Sequence, residues 1–448
     1  MLIHFSCAIL IIQENGCFER EFKFLKNLKY IKRVTDAILK EKLNGLGGLV
    51  IVGPKWCGKT TTAEHYSKSA IYLDETEDGN NNIQIASLNP LILLEGKTPR
   101  LIDEWQLAPN LFDAARREID KRNKSGQFIF TGSVTPPKHQ TQHSGTGRFS
   151  FLRMYPMSLY ESGESNGSVS LAELFGGSPN LSAASTLTLE DILFCILRGG
   201  WPGTLRMSDN AALSVAKDYL YSIENNEFIY STDKRIKRNS EKIKALIRSY
   251  ARNTATSASI ETIQKDILDN GGRISRTTLD SYILELQKLY VIDDQPAWSV
   301  SMRSRTPLRQ APKRHLSDPS LAAAAIGATN DKLLKDFNTL GYLFESLCVR
   351  DMRIYAASNE AAVSHYRDKT GLEADIIIEK YDGAWGAMEV KLGSNQEDKA
   401  ADNLLILASR IDTSKRGSPA FLAVITGGKY PYRRKDGVYV LPIGCLAP

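Results

Sequence analysis

The sequence predicts an α/β protein in three parts: a parallel-sheet domain, a helical middle region and a second α/β domain at the C-terminal end. Three observations carry this expectation. Short apolar runs alternate with amphipathic stretches from residue 30 to about 160. Apolar residues at helical spacing dominate residues 190 to 298, and from about 330 onward a long helix, three strand-like runs, a helix and two further runs follow in order. A chain of 448 residues has room for several domains of about 150 residues each. With 42% hydrophobic and 24% charged residues, disorder, collagen and a polytopic membrane protein are excluded. The formal net charge of +6 permits nucleic acid as a partner without implying it.

Residues 1–29 include an apolar run, Cys7 to Ile12, with no Lys or Arg before it and no small-residue cleavage site after it. The run is too short to span a bilayer and poorly built for a signal peptide. We read 1–29 as an N-terminal extension, with no membrane association and a cytoplasmic location. The six cysteines, Cys7, Cys17, Cys57, Cys195, Cys348 and Cys445, lack CxxC or metal-ligand spacing and read as reduced thiols.

The first domain is expected over residues 30–165. Its strands fall at Leu49 to Val52, Ala70 to Leu73, Leu101 and Ile102, and Phe128 to Phe130, and Pro109 to Lys124 reads as a helix. Between the first strand and a helix from Thr61 to Ser69 stands Gly53-Pro54-Lys55-Trp56-Cys57-Gly58-Lys59-Thr60, a full match to G-x-x-x-x-G-K-[ST]. In such a loop the glycines let backbone N–H groups wrap phosphates at a helix N-terminus. Lys59 supplies charge to the β and γ phosphates, Thr60 offers its hydroxyl to Mg²⁺, and Thr61 continues the binding segment. ATP and Mg²⁺ are the expected cofactors.

Leu101-Ile102 ends in Asp103-Glu104. After a P-loop, the first acid at such a strand end holds the Mg²⁺ shell and the second takes the proton of an attacking water. The strand at Phe128 ends in Thr131-Gly132-Ser133, which places the Ser133 hydroxyl beside the γ phosphate. His143-Ser144-Gly145-Thr146-Gly147-Arg148 then offers an arginine on a glycine-flanked loop. Arg148 reads either as a transition-state arginine, in its own or a neighbouring subunit, or as an ordinary surface arginine, with Arg153 behind it.

These motifs, together with Tyr155-Pro156-Met157-Ser158-Leu159 and Gly199-Gly200-Trp201-Pro202, resemble a family of prokaryotic AAA-type ATP-binding proteins of uncharacterised function, which join a P-loop domain to a helical and nuclease-like C-terminal region. The resemblance runs from about residue 30 to the end. It implies an AAA-type ATPase fold with Ser133 in the sensor position and an arginine finger. Trp56 stands where the family often has a smaller residue.

Residues 166–188, rich in Ser, Gly, Asn and Ala, read as a linker or insertion. Over 189–300, Ile243, Leu246, Ile247 and Tyr250 share one helical face, as do Leu279, Tyr282, Ile283, Leu286 and Leu289. A strand at Val291 to Trp298 would complete a winged helix, with Ser275 or Thr277 capping its third helix. That helix carries Arg276 and Lys288 against Asp280 and Glu285, so packing between domains is favoured over DNA reading. Residues 301–329 form a basic linker, in which Arg303, Arg305, Arg309, Lys313 and Arg314 read as a solvated loop or as phosphate contacts.

The last part, 330–448, sets Asp375 before Ile376 to Ile378 and Glu389-Val390-Lys391 after a turn at Asp382-Gly383. A hairpin would bring Asp375 to Glu389 and Lys391, which share one strand face. Two carboxylates and a lysine can bind Mg²⁺ and activate water against a phosphodiester, and Glu345 on the preceding helix, sharing a face with Gly341 and Cys348, would complete the metal site. This element order resembles the PD-(D/E)XK restriction-endonuclease-like fold. The chain is therefore expected to be an ATPase whose C-terminal domain binds or cleaves DNA. The alternative is a nucleotide-controlled switch or scaffold whose C-terminal domain only recognises a protein partner, and a homo-oligomer remains open.

Overall fold

The computed structural model describes residues 30–74, 78–133, 145–227, 239–300 and 310–448. The Cys7 to Ile12 run, His143, Ser144, Arg303, Arg305 and Arg309 lie outside the described residues.

The first sheet has five strands, all parallel, formed by β1 (Gly48–Val52), β2 (Ser69–Tyr72), β3 (Arg100–Asp103), β4 (Phe128–Gly132) and β5 (Phe149–Arg153), in the order β2-β3-β4-β1-β5. The three inner strands, β1, β4 and β3, are nearly continuous apolar runs because helices cover both faces. Those helices are α1 (Thr35–Gly45), α2 (Lys59–Tyr66), α3 (Asp78–Leu88) and α4 (Asn110–Arg122). Helix α2 stops at Tyr66, short of the expected Ser69, which already belongs to β2. Phe112, Phe130 and Phe149 pack edge-on and stacked on one side of the sheet, and Leu39, Leu49, Ile51 and Ile129 fill the other.

Residues 166–188 are not a free linker. Val169–Ser170 pairs in parallel with Leu446–Ala447, Phe175 meets Phe421 edge-on, and the Ser185 N–H donates to the Lys429 carbonyl. The sequence gap between these partners hid the pairing, since a two-residue strand leaves no periodic signal. The middle region holds α5 (Leu189–Arg198), α6 (Asp209–Ser222), α7 (Ser240–Arg252), α8 (Ile260–Asp269) and α9 (Arg276–Lys288). Ser275 caps α9 by accepting the Thr278 N–H.

No regular hairpin follows α9 among the described residues. Ile292 and Gln295 bridge Leu316 and Lys313 in antiparallel register, while Ala297 bridges His365 at the edge of the C-terminal sheet. Trp298 is drawn into that domain's core against Trp385, which explains why the apolar run docks instead of forming a free wing. On α9, Arg276 pairs with Glu261 and Asp280, and Lys288 pairs with Glu285, so both cations are spent within the region.

The segment expected as a basic linker is likewise folded from residue 310 onward. Lys313, Arg314, His315 and Asp318 are buried, and α10 (Pro319–Ile326) continues from them. Helix α11 (Phe337–Ser358) then leads into the second sheet. Its strands are β6 (Ala361–Arg367), β7 (Glu373–Lys380), β8 (Trp385–Lys391), β9 (Phe421–Thr426), β10 (Tyr432–Arg433) and β11 (Tyr439–Pro442), with α12 (Glu397–Arg410) crossing between β8 and β9. The order is β10-β11-β9-β8-β7-β6. β6, β7 and β8 run antiparallel, and β8, β9 and β11 run parallel. The expected hairpin between Asp375 and Lys391 is present and turns at Gly383, whose φ of 93° suits glycine. Among the described residues, no helix is long and apolar enough to cross a membrane.

One buried ion-pair group fastens these parts together. The Arg350 guanidinium on α11 donates to Asp318 (2.9 Å) and Asp351 (2.8 Å). Asp318 also accepts the Gly200 N–H, and Asp351 accepts the Leu159 N–H (both 3.0 Å). Removing one partner of a buried pair leaves a buried charge uncompensated. Asp318→Ala should therefore cost about 3–5 kcal/mol in urea unfolding; a loss of only a few tenths would show that Arg350 finds its compensation elsewhere.

Candidate nucleotide site and C-terminal carboxylate cluster

The P-loop leaves the C-terminal end of β1 and runs into α2. Gly53 (φ 151°) and Gly58 (φ 96°) adopt conformations that L side chains rarely take, and a Cβ on Gly53 would lie 2.2 Å from the Met154 carbonyl oxygen. Trp56 also has positive φ, and its ring is 61% exposed, so the bulky residue points away from the loop's interior. Pro54, Lys55 and Cys57 complete the turn, with Cys57 buried in the core under the sheet. Thr61 lies in the first turn of α2, a helix start that presents backbone N–H groups to an anion. The Lys59 ammonium, buried, donates to the carbonyls of Gly53 (3.1 Å) and Pro54 (2.8 Å), across the mouth of the loop.

Strand order sets the rest of the site. Because β4 lies between β1 and β3, the ends of all three strands meet at one edge of the sheet. Asp103 accepts from the Thr60 hydroxyl (3.0 Å) and from the Thr131 hydroxyl. Burial pushes its carboxyl up to about 7; the Thr131 bond opposes this and the Glu104 charge adds to it. Glu104 sits in the left-handed region at φ 51° and is held by Ser133 Oγ (3.3 Å) and by the Gln106 amide. A non-glycine residue with such a backbone is strained unless its surroundings hold it. Thr60, Asp103, Glu104 and Ser133 are thus brought together beside Lys59. Oxygen donors at Thr60 and Asp103, with a carboxyl that burial leaves short of charge compensation, fit a hydrated Mg²⁺.

Arg148 is elsewhere. It precedes β5, at the opposite end of the sheet from the P-loop, and pairs with Asp120 on the surface (2.8 Å). Within one subunit it cannot reach the nucleotide site, because the length of β5 intervenes. Arg153 stands at the correct end of that strand, opposite Val52, but its guanidinium pairs with Asp293 (2.9 Å).

A residue that motif reading missed supports the loop from behind. Buried Arg33 donates to the Cys57 carbonyl (2.7 Å), the Tyr155 carbonyl (2.8 Å) and Glu161 Oε1 (2.9 Å). Glu161 in turn closes a capping box with Ser158, so the Tyr155-Pro156-Met157-Ser158-Leu159 motif is the anchor of this brace. Arg33 precedes the first recognisable strand and has no sequence signal of its own; the Ser158-x-x-Glu161 box was the available hint.

In the C-terminal domain Glu345, Asp375, Glu389 and Lys391 also come together, but with a fifth member. Lys391 Nζ lies 2.7 Å from Glu389 Oε2 and 3.4 Å from Asp375 Oδ2. Lys313 Nζ lies 2.6 Å from Glu345 Oε1 and 2.7 Å from Asp375 Oδ1. Asp375 Oδ2 further accepts the Val390 N–H (2.9 Å). Burial opposes charge on Asp375, yet the two ammonium groups outweigh it and hold the carboxyl well below its usual range. Burial and the neighbouring Asp375 raise Glu345 to about 7 and Glu389 to about 8. A cavity of about 610 Å³ opens before the cluster, lined among others by Asp375, Glu389, Lys391, Gln396, Asn403 and Arg410.

The expected metal set of Glu345, Asp375 and Glu389 does not fit a cation as arranged. Among the described residues, no three His, Cys, Asp or Glu side chains are grouped to hold a metal ion. Ammonium groups contact one oxygen each of Glu345 and Glu389 and both oxygens of Asp375. Lys313 was concealed in the basic run, where the sequence pattern suggested solvent.

The parallel sheet with its glycine loop between β1 and α2 is the architecture of a P-loop nucleotide-binding domain. A family profile described as an AAA domain matches residues 47–163. Domains of unknown function match the rest: DUF8612 over residues 189–332 and DUF4143 over residues 340–446. No curated protein matches the chain. Among solved structures, a Walker-type ATPase of Pyrococcus abyssi is similar at 13% identity and a TM-score of 0.39, over 66% of this chain and 96% of that one. AMPPCP-bound DnaA from Aquifex aeolicus is similar at 15% identity and a TM-score of 0.21, over 59% of this chain and 90% of that one.

Arg33→Met removes a charge-assisted bond to the P-loop, an interaction worth about 1.5–3 kcal/mol. ATP affinity, measured by titration of a fluorescent analogue, should fall about tenfold or more. Glu161→Gln, which keeps an acceptor for Arg33, should fall less; equal losses would mean that the brace acts through the motif and not through Cys57.

Proposed function

We propose that the chain is a Mg²⁺-dependent, AAA-type ATPase whose C-terminal domain recognises a partner. The observation that carries this reading is the meeting of Lys59, Thr60, Asp103, Glu104 and Ser133 at one sheet edge. Lys59 exchanges its loop carbonyls for phosphate oxygens, and Thr60 and Asp103 hold the metal. Mg²⁺, when bound, neutralises charge developing on the phosphates. Glu104 takes the proton of the attacking water, and Ser133 keeps that carboxylate aimed. Arg148, on the far edge with only a surface pair, acts as an arginine finger only towards a neighbouring copy in a homo-oligomer.

For the C-terminal domain, the paired lysines favour recognition of DNA or of a protein over metal-dependent cleavage of DNA. The restriction-endonuclease-like order of helix, strands, helix and strand supports descent from a nuclease-like fold, without carrying the activity.

Glu104→Gln should bind ATP and lower phosphate release by about 100-fold or more, while Lys59→Ala should lose binding. Unchanged turnover in Glu104→Gln would sink the assignment. Plasmid DNA incubated with Mg²⁺ or Mn²⁺ in the same tubes should stay intact; a nick lost in Asp375→Ala would establish the nuclease reading instead.

A further inference from the structure

We propose that Lys313 occupies the cation position of the C-terminal carboxylate cluster, so that a latent divalent-metal site is filled by the chain's own ammonium group. The position is the point between Glu345 on α11 and Asp375 on β7, where Lys313 Nζ contacts an oxygen of each within 2.7 Å.

Lys313 is held there by its backbone. Its N–H donates to the Gln295 carbonyl (3.0 Å) and its carbonyl accepts the Gln295 N–H (2.9 Å). Gln295, itself fully buried, uses its side-chain amide to donate to the carbonyls of Asp375 and Ser364 (both 3.0 Å). The lysine is therefore clamped in register with the very strand that presents Asp375. Its side chain is only 5% exposed.

The charge balance points the same way. Lys313 and Lys391 both contact Asp375 and already balance its charge, which leaves little negative charge to draw in a divalent ion against them. Both oxygens of Asp375 are already taken. Mg²⁺ demands near-octahedral oxygen ligation and gives up water reluctantly, so it cannot enter beside the lysine; it must replace it. Taking Lys313 away leaves an oxygen of Glu345 and one of Asp375 facing an ammonium-sized space, oxygen donors of the kind Mg²⁺ or Mn²⁺ takes, with Glu389 next along the cluster on Lys391.

The test is Mn²⁺ binding by the full chain without nucleotide, read from the loss of free-Mn²⁺ electron paramagnetic resonance signal, in wild type, Asp375→Asn, Lys313→Met and the double variant. The expected result is no Asp375-dependent Mn²⁺ in wild type and one bound Mn²⁺ per chain in Lys313→Met, lost again in the double variant. An Asp375-dependent ion in wild type would overturn the proposal, as would a folded Lys313→Met that gains none. Lys313→Gln serves in place of Lys313→Met if the latter does not fold, and the wild-type comparison stands without either. Because ATP is absent, failure of the ATPase assignment leaves this result unchanged.

Discussion

The structure depends on the pairing of Arg350 with Asp318 and Asp351, because each member of that group holds a different part of the chain. Arg350 and Asp351 belong to α11, Asp318 caps α10, and the backbone groups they accept come from Leu159 and Gly200. Burial raises the Asp351 carboxyl to about 6, with Arg350 opposing it. Such a group adds little net stability over an apolar core, but it rejects alternatives: any other docking leaves a charge buried alone. It also explains the double glycine before Trp201. A Cβ on Gly200 would lie 2.1 Å from the Met157 carbonyl oxygen, and one on Gly199 would strike Asp318 and Ser320.

The two carboxylate sites show how the choice of counter-charge decides what a site can hold. At the P-loop edge Asp103 is answered by two hydroxyls, Thr60 and Thr131, which donate hydrogen bonds but no charge. No cation answers its charge among these partners, and burial pushes the carboxyl up. In the C-terminal domain Asp375 is answered by two ammonium groups and a backbone N–H, so its charge is compensated in the fold itself. The same residue type, on a buried strand in both cases, is left without a cation partner in one and given two in the other.

Much of this was legible in the sequence wherever chemistry is local. The strands at Leu49, Leu101 and Phe128, the loop that follows the first, and the hairpin from Asp375 to Lys391 each carry their signal within a few residues. What was hidden depends on long-range pairing. Lys313 lies 62 residues from Asp375, and Arg33 lies 128 from Glu161. Arg148 shows the reverse: its glycine-flanked loop is local, but the direction of β5 places it away from its own P-loop, which leaves the surface and neighbouring-subunit readings. A basic run says that charges are present and nothing about whether acids fold back onto them. The run at Val291 forms no regular strand: Ile292 and Gln295 make isolated antiparallel bridges to Leu316 and Lys313, and Ala297 bridges the edge of the C-terminal sheet.

The connections between the sites constrain where motion can occur. From the P-loop, Cys57 leads through Arg33 and Glu161 to the motif whose Leu159 N–H rests on Asp351. From β5, Arg153 meets Asp293, which also pairs with Arg353 on α11 (2.7 Å). Both routes end on the helix that carries Glu345. Buried pairs of this kind cost about 3–5 kcal/mol to break one-sidedly, so the segments that carry them are tied to α11. Contacts alone do not establish coupling, which requires an element with two arrangements that nucleotide biases differently. The elements free of these links are Lys59, bonded only to carbonyls of its own loop, and Glu104, strained at φ 51° and held by Ser133 and Gln106. A nucleotide response that begins at these two side chains can alter the P-loop edge without opening a buried ion pair, and the contacts through which it could pass further are Arg33 with Cys57 and Arg153 with Asp293.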